Sequence, residues 1–220
     1  DRKTILKYWF DWMLIFWDVD DVLNQLMREW LSFWQRNKQF DPKSIGTSQL
    51  INNPPHRVLG ISLEQYLQDL DEFRKSSRGR QLTPHPRVMK WFQEFGHESV
   101  HIALTARPSE TMANQSAWIY KYFGRWIHSV VSVDPCRSGS EHQRQPEFSS
   151  KASFIKWLDK PSILIDDSED NIRDAREHCL RTFLFPQPWN SSNQTTEDVL
   201  DELSQFLEKW NYLIMWSTAL

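Results

Sequence analysis

Cysteine is nearly absent from this chain of 220 residues: only Cys136 and Cys179 occur. Two cysteines cannot build a disulfide framework of the secreted mini-domain kind, and their spacing matches no zinc motif. Glycine is scarce too, at six. Those six form no G-x-G pair and no GxxxxGK[ST] loop, which excludes phosphate cradles of the Rossmann and P-loop types. Neither sign of charge dominates. A formal net charge of -3 gives no basic bias toward nucleic acid or an anionic membrane. No apolar run reaches the about 18 residues that suggest a membrane span. The N-terminal "YWFDWMLIFWDVDD" is broken by Asp11 and ends in acids. It lacks the basic start and small-residue exit of a signal peptide. A reducing, cytoplasmic compartment is expected, with no membrane and no nucleic-acid polymer as partner. The C-terminal "WNYLIMWSTAL" is apolar but short, and is expected to end a docked helix.

What is present suffices for a core: 40% of residues are hydrophobic and tryptophan is abundant at 12. "MLIFW" (13–17) is a short continuous apolar run, as in a strand buried on both faces. Further strands are predicted over 100–104, 128–133, 162–166 and 181–185. Helices are predicted between them, with Gly96 and Gly124 ending two and Thr195 or Thr196 capping the last. From residue 84 onward this alternation argues for an α/β domain with a mostly parallel sheet and right-handed crossovers. Residues 24–80 break the rhythm. They hold two helical patterns, one starting with the capping box Ser62–Gln65, and breaker-rich loops. The expected organisation is a core of 1–23 and 81–220 with 24–80 inserted after the first strand. Residues 134–150 read as an exposed loop.

The strand ends carry the chemistry. In doubly wound sheets ligands bind beyond the carboxyl ends of the strands. The first strand runs into Asp18, Asp20 and Asp21, the second into Thr105, and the fourth into Asp166 and Asp167, with Asp170 opening the next helix. Two unit charges about 4 Å apart repel by about 4 kcal/mol at an effective dielectric of 20. Clustered carboxylates therefore need a counter-charge. A hard divalent cation with oxygen ligands is the natural one, and Mg²⁺ fits because it also takes water and phosphate oxygens. A bound anion would need a cationic side chain as well. A helix leading into a parallel strand starts at the active face and runs away from it. Lys151 lies in its first turn; Lys156 is roughly 7.5 Å further down the axis, and Lys160 lies at the opposite face. Lys151 is the choice.

Asp18-x-Asp20-x-Val22, Thr105, Lys151 and Asp166-Asp167-x-x-Asp170 resemble the four ordered motifs of the haloacid dehalogenase (HAD) superfamily. No motif is specific alone, but four in order at the right ends of the right elements are. The resemblance implies a Rossmann-like, doubly wound parallel sheet of five core strands, the first strand central, with 24–80 as a small helical cap. It implies a Mg²⁺-dependent phosphatase acting on a small phosphorylated metabolite through an aspartyl-phosphate. Asp18 would be the nucleophile and Asp20 the general acid and base, while Thr105 and Lys151 would hold the phosphoryl oxygens. The metal would take the Asp18 carboxylate, the Asp20 main-chain carbonyl and the second acidic pair, Asp167 before Asp166. Asp170 would orient Lys151 or a metal-bound water. Asp21 departs from the pattern, standing where many members carry glycine.

Other readings remain at this stage. A dehalogenase would have no use for an acid at position 20. A phospho-receiver or phosphate-sensing module uses similar groups in another order, with its nucleophile after a middle strand. Some members of the superfamily with small helical caps are nucleotidases, so a nucleoside monophosphate is one candidate substrate. Trp30, Phe33 and Trp34 could stack on a base or simply pack the cap. The basic run "RKSSRGR" (74–80) could meet a substrate anion or be a solvated linker.

Overall fold

The structure is a computed structural model, and it describes residues 13–37, 45–107, 109–133, 148–178 and 180–217, with only the backbone of 214–217. The cysteines, the segment 134–147 and the end of the C-terminal tail lie outside these residues.

Five short apolar segments form one sheet: β1 (Leu14–Trp17), β2 (Val100–Thr105), β3 (Ile127–Ser132), β4 (Ser162–Asp166) and β5 (Arg181–Leu184). The order is β3-β2-β1-β4-β5 and every pairing is parallel. The sheet is thus α/β and doubly wound, with β1 at its centre. A central parallel strand is covered on both faces, so it needs apolar residues at every position. In β1 the alternate residues divide between two cores. Ile15 and Trp17 face one, with Val88, Trp91 and Phe92 of α3 (Pro86–Phe95) and Leu203 and Leu207 of α7 (Thr196–Ser217). Phe16 faces the other, with Ala152 and Ile155 of α5 (Lys151–Leu158) and Ala175 of α6 (Glu169–Glu177). Helix α4 (Met112–Phe123) joins the first group through Trp118, Ile119 and Phe123.

Helix ends follow local chemistry. Thr195 Oγ1 accepts from the Asp198 backbone N–H while Asp198 Oδ2 accepts from that of Thr195, a reciprocal cap for α7. Gly96 ends α3, though not by a left-handed turn: its φ is -64°, and a side chain there would come within 2.5 Å of the Phe92 carbonyl oxygen. Helix α7 docks through Val199, Leu200, Leu203 and Leu207, whereas Tyr212 and Leu213 are exposed. Among the described residues no helix is long and apolar enough to cross a membrane.

The helical insertion follows β1. It contains α1 (Leu26–Asn37), α2 (Leu63–Lys75) and short 3-10 turns, with no strand among its described residues. Its two ends sit side by side: Asn24 pairs antiparallel with Pro84, and the His85 N–H donates to the Leu23 carbonyl at 2.8 Å. Aromatic rings join its helices. Trp30 stacks on Trp34 and meets Tyr66 edge-on, Phe33 lies against Phe73, and Trp34 Nε1 donates to Asp69 at 2.8 Å. Trp30, Phe33 and Trp34 are packing residues here.

Candidate active site

The register of the sheet sets the site. Trp17 is level with Ala103 on β2 and Ile165 on β4, so the residues that follow emerge together at the carboxyl edge. The Asp18 N–H donates to the Ile165 carbonyl at 2.9 Å, extending the ladder one residue and fixing the backbone under its carboxyl group. Trp17 is fully buried against Trp91 and Phe92. Its indole N–H donates to His101 Nδ1 at 3.0 Å, so the other ring nitrogen carries the proton and donates to the Gly96 carbonyl at 3.1 Å. The bulk of Trp17 thus serves to wedge β1 against α3.

The same histidine belongs to the string His97-Glu98-Ser99-Val100-His101, which has the spelling of a zinc-protease signature and which the sequence reading overlooks. That signature needs a helix to place both histidines on one face. Here Val100 and His101 begin β2, and His101 is committed to Trp17 and Gly96, so the string is no metal site.

Lys151 is placed by the start of α5. Ser150 caps the helix, accepting from the Ser153 N–H at 3.1 Å, and the buried lysine reaches back over the strand tips. Its Nζ donates to Asp18 Oδ1 at 2.5 Å and to Asp166 Oδ2 at 2.7 Å. Burial opposes its charge, but Asp166 and Asp18 outweigh that and hold its pKa above the usual lysine range. Lys156 is exposed on the far side of the helix. Burial pushes the Asp18 carboxyl up to about 7, with Lys151 acting against it and the charges of Asp166 and Asp20 adding to it.

The second acidic pair divides its work. Asp166, with no exposure at all, accepts from Lys151, from the Ser168 N–H at 2.9 Å and from the Asn171 amide on both oxygens. Asp167 accepts one side-chain bond, from Trp189 Nε1 at 2.7 Å. Burial, then Asp18 and Asp166, push its pKa well above the ordinary carboxylate value. Asp18, Asp166 and Asp167 each offer an oxygen, all within 4.8 Å of one another. Three hard oxygens with excess negative charge fit a divalent cation such as Mg²⁺.

Asp20 is held elsewhere. Its carboxylate accepts from Arg107 Nε at 2.6 Å and from a second Arg107 nitrogen, from Arg74 Nη2 at 2.9 Å and from Asn24 at 3.2 Å. Burial alone would raise its pKa; the Arg107 and Arg74 guanidiniums outweigh it and hold the carboxyl well below the usual range. Asp21 has φ 61°, the left-handed region where Asp and Asn are the tolerated non-glycine residues. That conformation accounts for the glycine expected at this position. Its Oδ1 accepts the Met27 N–H at 2.8 Å, linking the turn to α1.

Asp18, Asp20, Thr105, Lys151, Asp166 and Asp167 all line one cleft of about 180 Å³, roofed by α1 and α2. Asp170 does not. Its carboxylate is exposed and pairs with Arg173, so of the two roles expected of it, orienting Lys151 or a metal-bound water, the contact with Lys151 is not made. Asn171, one residue on, makes the bonds to Asp166. Ser168, not Asp170, caps α6. Arg74 lay inside a basic run whose role was open, while Arg107, two residues after Thr105, went unassigned. Nothing local marks Trp189 or Gln187, whose amide donates to the Asp21 carbonyl at 2.5 Å.

No protein-family model and no curated protein matches the chain. Solved structures do match. One is a haloacid dehalogenase-like hydrolase from Streptococcus pneumoniae, at 12% identity and TM-score 0.54, covering 87% of this chain and 90% of that one. Another is described as a predicted phosphatase from Clostridium acetobutylicum, at 12% identity and TM-score 0.56, with 90% and 99% covered. A third is Protein Tyrosine Kinase A of Mycobacterium tuberculosis, at 13% identity and TM-score 0.59, with 88% and 98% covered. At such identities the likeness establishes the fold, which is haloacid dehalogenase-like over nearly the whole chain.

Proposed function

We propose that this protein is a Mg²⁺-dependent phosphatase that hydrolyses a small phosphate monoester through an aspartyl-phosphate on Asp18. One observation carries the reading: Lys151 bridges Asp18 and Asp166 across the tips of adjacent strands, with Asp167 and Thr105 in the same cleft. That is a nucleophile, a phosphate-binding cation, a metal-binding carboxylate and a hydroxyl around a single point. Relatives in fold described as phosphatases or hydrolases support it.

Asp18 attacks phosphorus in line; a bond from its carboxylate oxygen to phosphorus forms as the ester P–O bond breaks. Asp20, ionised while the two arginines hold it, must leave them and take up a proton from solvent; it then gives that proton to the departing alkoxide and takes one from the water that attacks phosphorus and releases phosphate. Lys151 and Thr105 hold the phosphoryl oxygens where negative charge accumulates. Asp18, Asp167 and the Asp20 main-chain carbonyl would hold Mg²⁺. Asp167 is preferred to Asp166 because every donor around Asp166 already occupies its oxygens. When bound, the ion offsets charge between the phosphoryl group and the acids. The insertion acts as a cap that closes over the substrate and sheds bulk solvent from the cleft, leaving room for the water that attacks phosphorus.

Hydrolysis of p-nitrophenyl phosphate, with and without Mg²⁺, tests the reading. Turnover that needs the metal and disappears in Asp18→Asn is expected. Full turnover by Asp18→Asn, or none by the intact protein, would overturn it. A nucleoside monophosphate is one candidate substrate, to be compared with sugar phosphates in the same assay.

A further inference from the structure

Two guanidiniums share a single carboxylate in this cleft. Arg74 comes from α2 of the insertion and Arg107 from the loop after β2, so the pair spans the cleft from roof to floor. Both side chains are more than nine-tenths buried, at 8% and 7% exposure. Arg74 also donates to Asp71 at 3.0 Å, so with both acids ionised the two arginines are balanced in charge while Asp20 holds its place between them. Arg74 Nε is buried without a partner, and Gln115 of α4 has both amide atoms buried without partners. Arg74, Arg107 and Gln115 line one small cavity of about 10 Å³, and the two arginines also line the main cleft. Unpartnered buried donors are rare in native proteins and point to a missing acceptor.

We propose that Arg74 and Arg107 form a receptor for a second anionic group on the substrate, with Gln115 behind them across a cavity large enough for about one water, and that Asp20 occupies this receptor in the present conformation. The inference rests on the phosphatase reading and narrows its substrate class to phosphate monoesters bearing another oxyanion, a carboxylate or a second phosphate. Two guanidinium forks suit either shape. The incoming anion takes the arginines from Asp20, whose carboxyl then turns toward the leaving oxygen. An ester without a second anionic group has nothing to offer the arginines and leaves Asp20 where it is. Charged substrate thus completes the site as it binds.

A matched series on a three-carbon chain tests this: propyl phosphate, 3-phosphooxypropanoate and propane-1,3-diol bisphosphate, with the intact protein and Mg²⁺. The two esters with a second anionic group should exceed propyl phosphate in kcat/KM by roughly tenfold to a hundredfold, the range of one charge-assisted hydrogen bond. The ratio between them identifies the preferred anion. Gln115→Leu and Arg74→Met should shrink that preference through KM; if Arg74→Met fails to fold, Arg74→Lys replaces it. Equal kcat/KM for all three esters, alongside turnover of p-nitrophenyl phosphate, sinks the receptor and leaves the phosphatase standing. Absence of all turnover sinks the phosphatase reading instead. Calorimetric titration of propyl phosphate and the bisphosphate into Asp18→Asn then judges the receptor, equal affinities rejecting it and tighter binding of the bisphosphate supporting it.

Discussion

Lys151 Nζ lies 2.7 Å from a carboxylate oxygen of Asp166, a residue with no solvent exposure, and the same ammonium lies 2.5 Å from Asp18. One buried cation thus bridges the tips of two strands and offsets part of their negative charge. Removing it strands two buried acids. Lys151→Met should lower folding stability by about 3–5 kcal/mol and abolish hydrolysis of p-nitrophenyl phosphate. Urea unfolding at pH 7 measures the first. A loss under about 1 kcal/mol would mean that the acids were never dependent on the lysine.

Trp189 donates to Asp167 from the loop after β5, and Asn190 donates to the Asp167 main-chain carbonyl at 2.9 Å. A donor to a metal-binding carboxylate fixes its orientation, and such outer contacts are worth roughly tenfold to a hundredfold in metal affinity. Trp189→Phe keeps the ring and removes the N–H. Mg²⁺ binding followed by calorimetry should weaken by that factor while the thermal midpoint without metal barely moves. Unchanged affinity would assign Trp189 to packing alone.

Asp170 and Asn171 are neighbours with opposite expected sensitivities. Asp170→Ala should change stability by less than about 0.5 kcal/mol and leave turnover near the intact value, because its carboxylate meets only solvent and Arg173. Asn171→Ala strips a donor from both oxygens of buried Asp166. Turnover should fall at least roughly tenfold, since a misplacement near the reacting groups has that scale of effect. Equal losses in both variants would contradict this division.

His101 gives the fold a pH dependence. Burial lowers its pKa from 6.5 to about 3. Between these values the unfolded chain binds a proton that the folded chain does not. Stability contributed by the neutral ring is therefore complete above the unfolded pKa and declines as pH falls through that window, with a slope approaching about 1.4 kcal/mol per pH unit. Many carboxylates titrate in the same range, so the informative quantity is the difference between the intact protein and His101→Gln. Urea unfolding from pH 4 to pH 7 should show the intact protein losing more stability on acidification than the variant. Parallel curves would mean that His101 protonates as readily folded as unfolded.

Helices and strands were legible in the sequence because their signals are local: apolar runs such as "LIFW", capping pairs such as Ser62 and Gln65, and breakers between them. The acids at the strand tips were legible for the same reason, since a parallel strand brings its last residue to the carboxyl edge whatever its neighbours. Lys151 followed from helix direction. Asp170 failed because adjacent helix residues point about 100° apart, and the phase of α6 was set by its Ser168 cap. The sequence by itself determined which strands carry acids and which end of the sheet they share. Only the tertiary structure decided that Arg74 and Arg107 meet on Asp20, that Asn171 holds Asp166 and that Trp189 holds Asp167. The arginine and tryptophan contacts join segments 22 to 87 residues apart, their partners chosen by how the insertion and the loops pack over the sheet, whereas Asn171 lies only five residues from Asp166 and is aimed at it by the phase of α6.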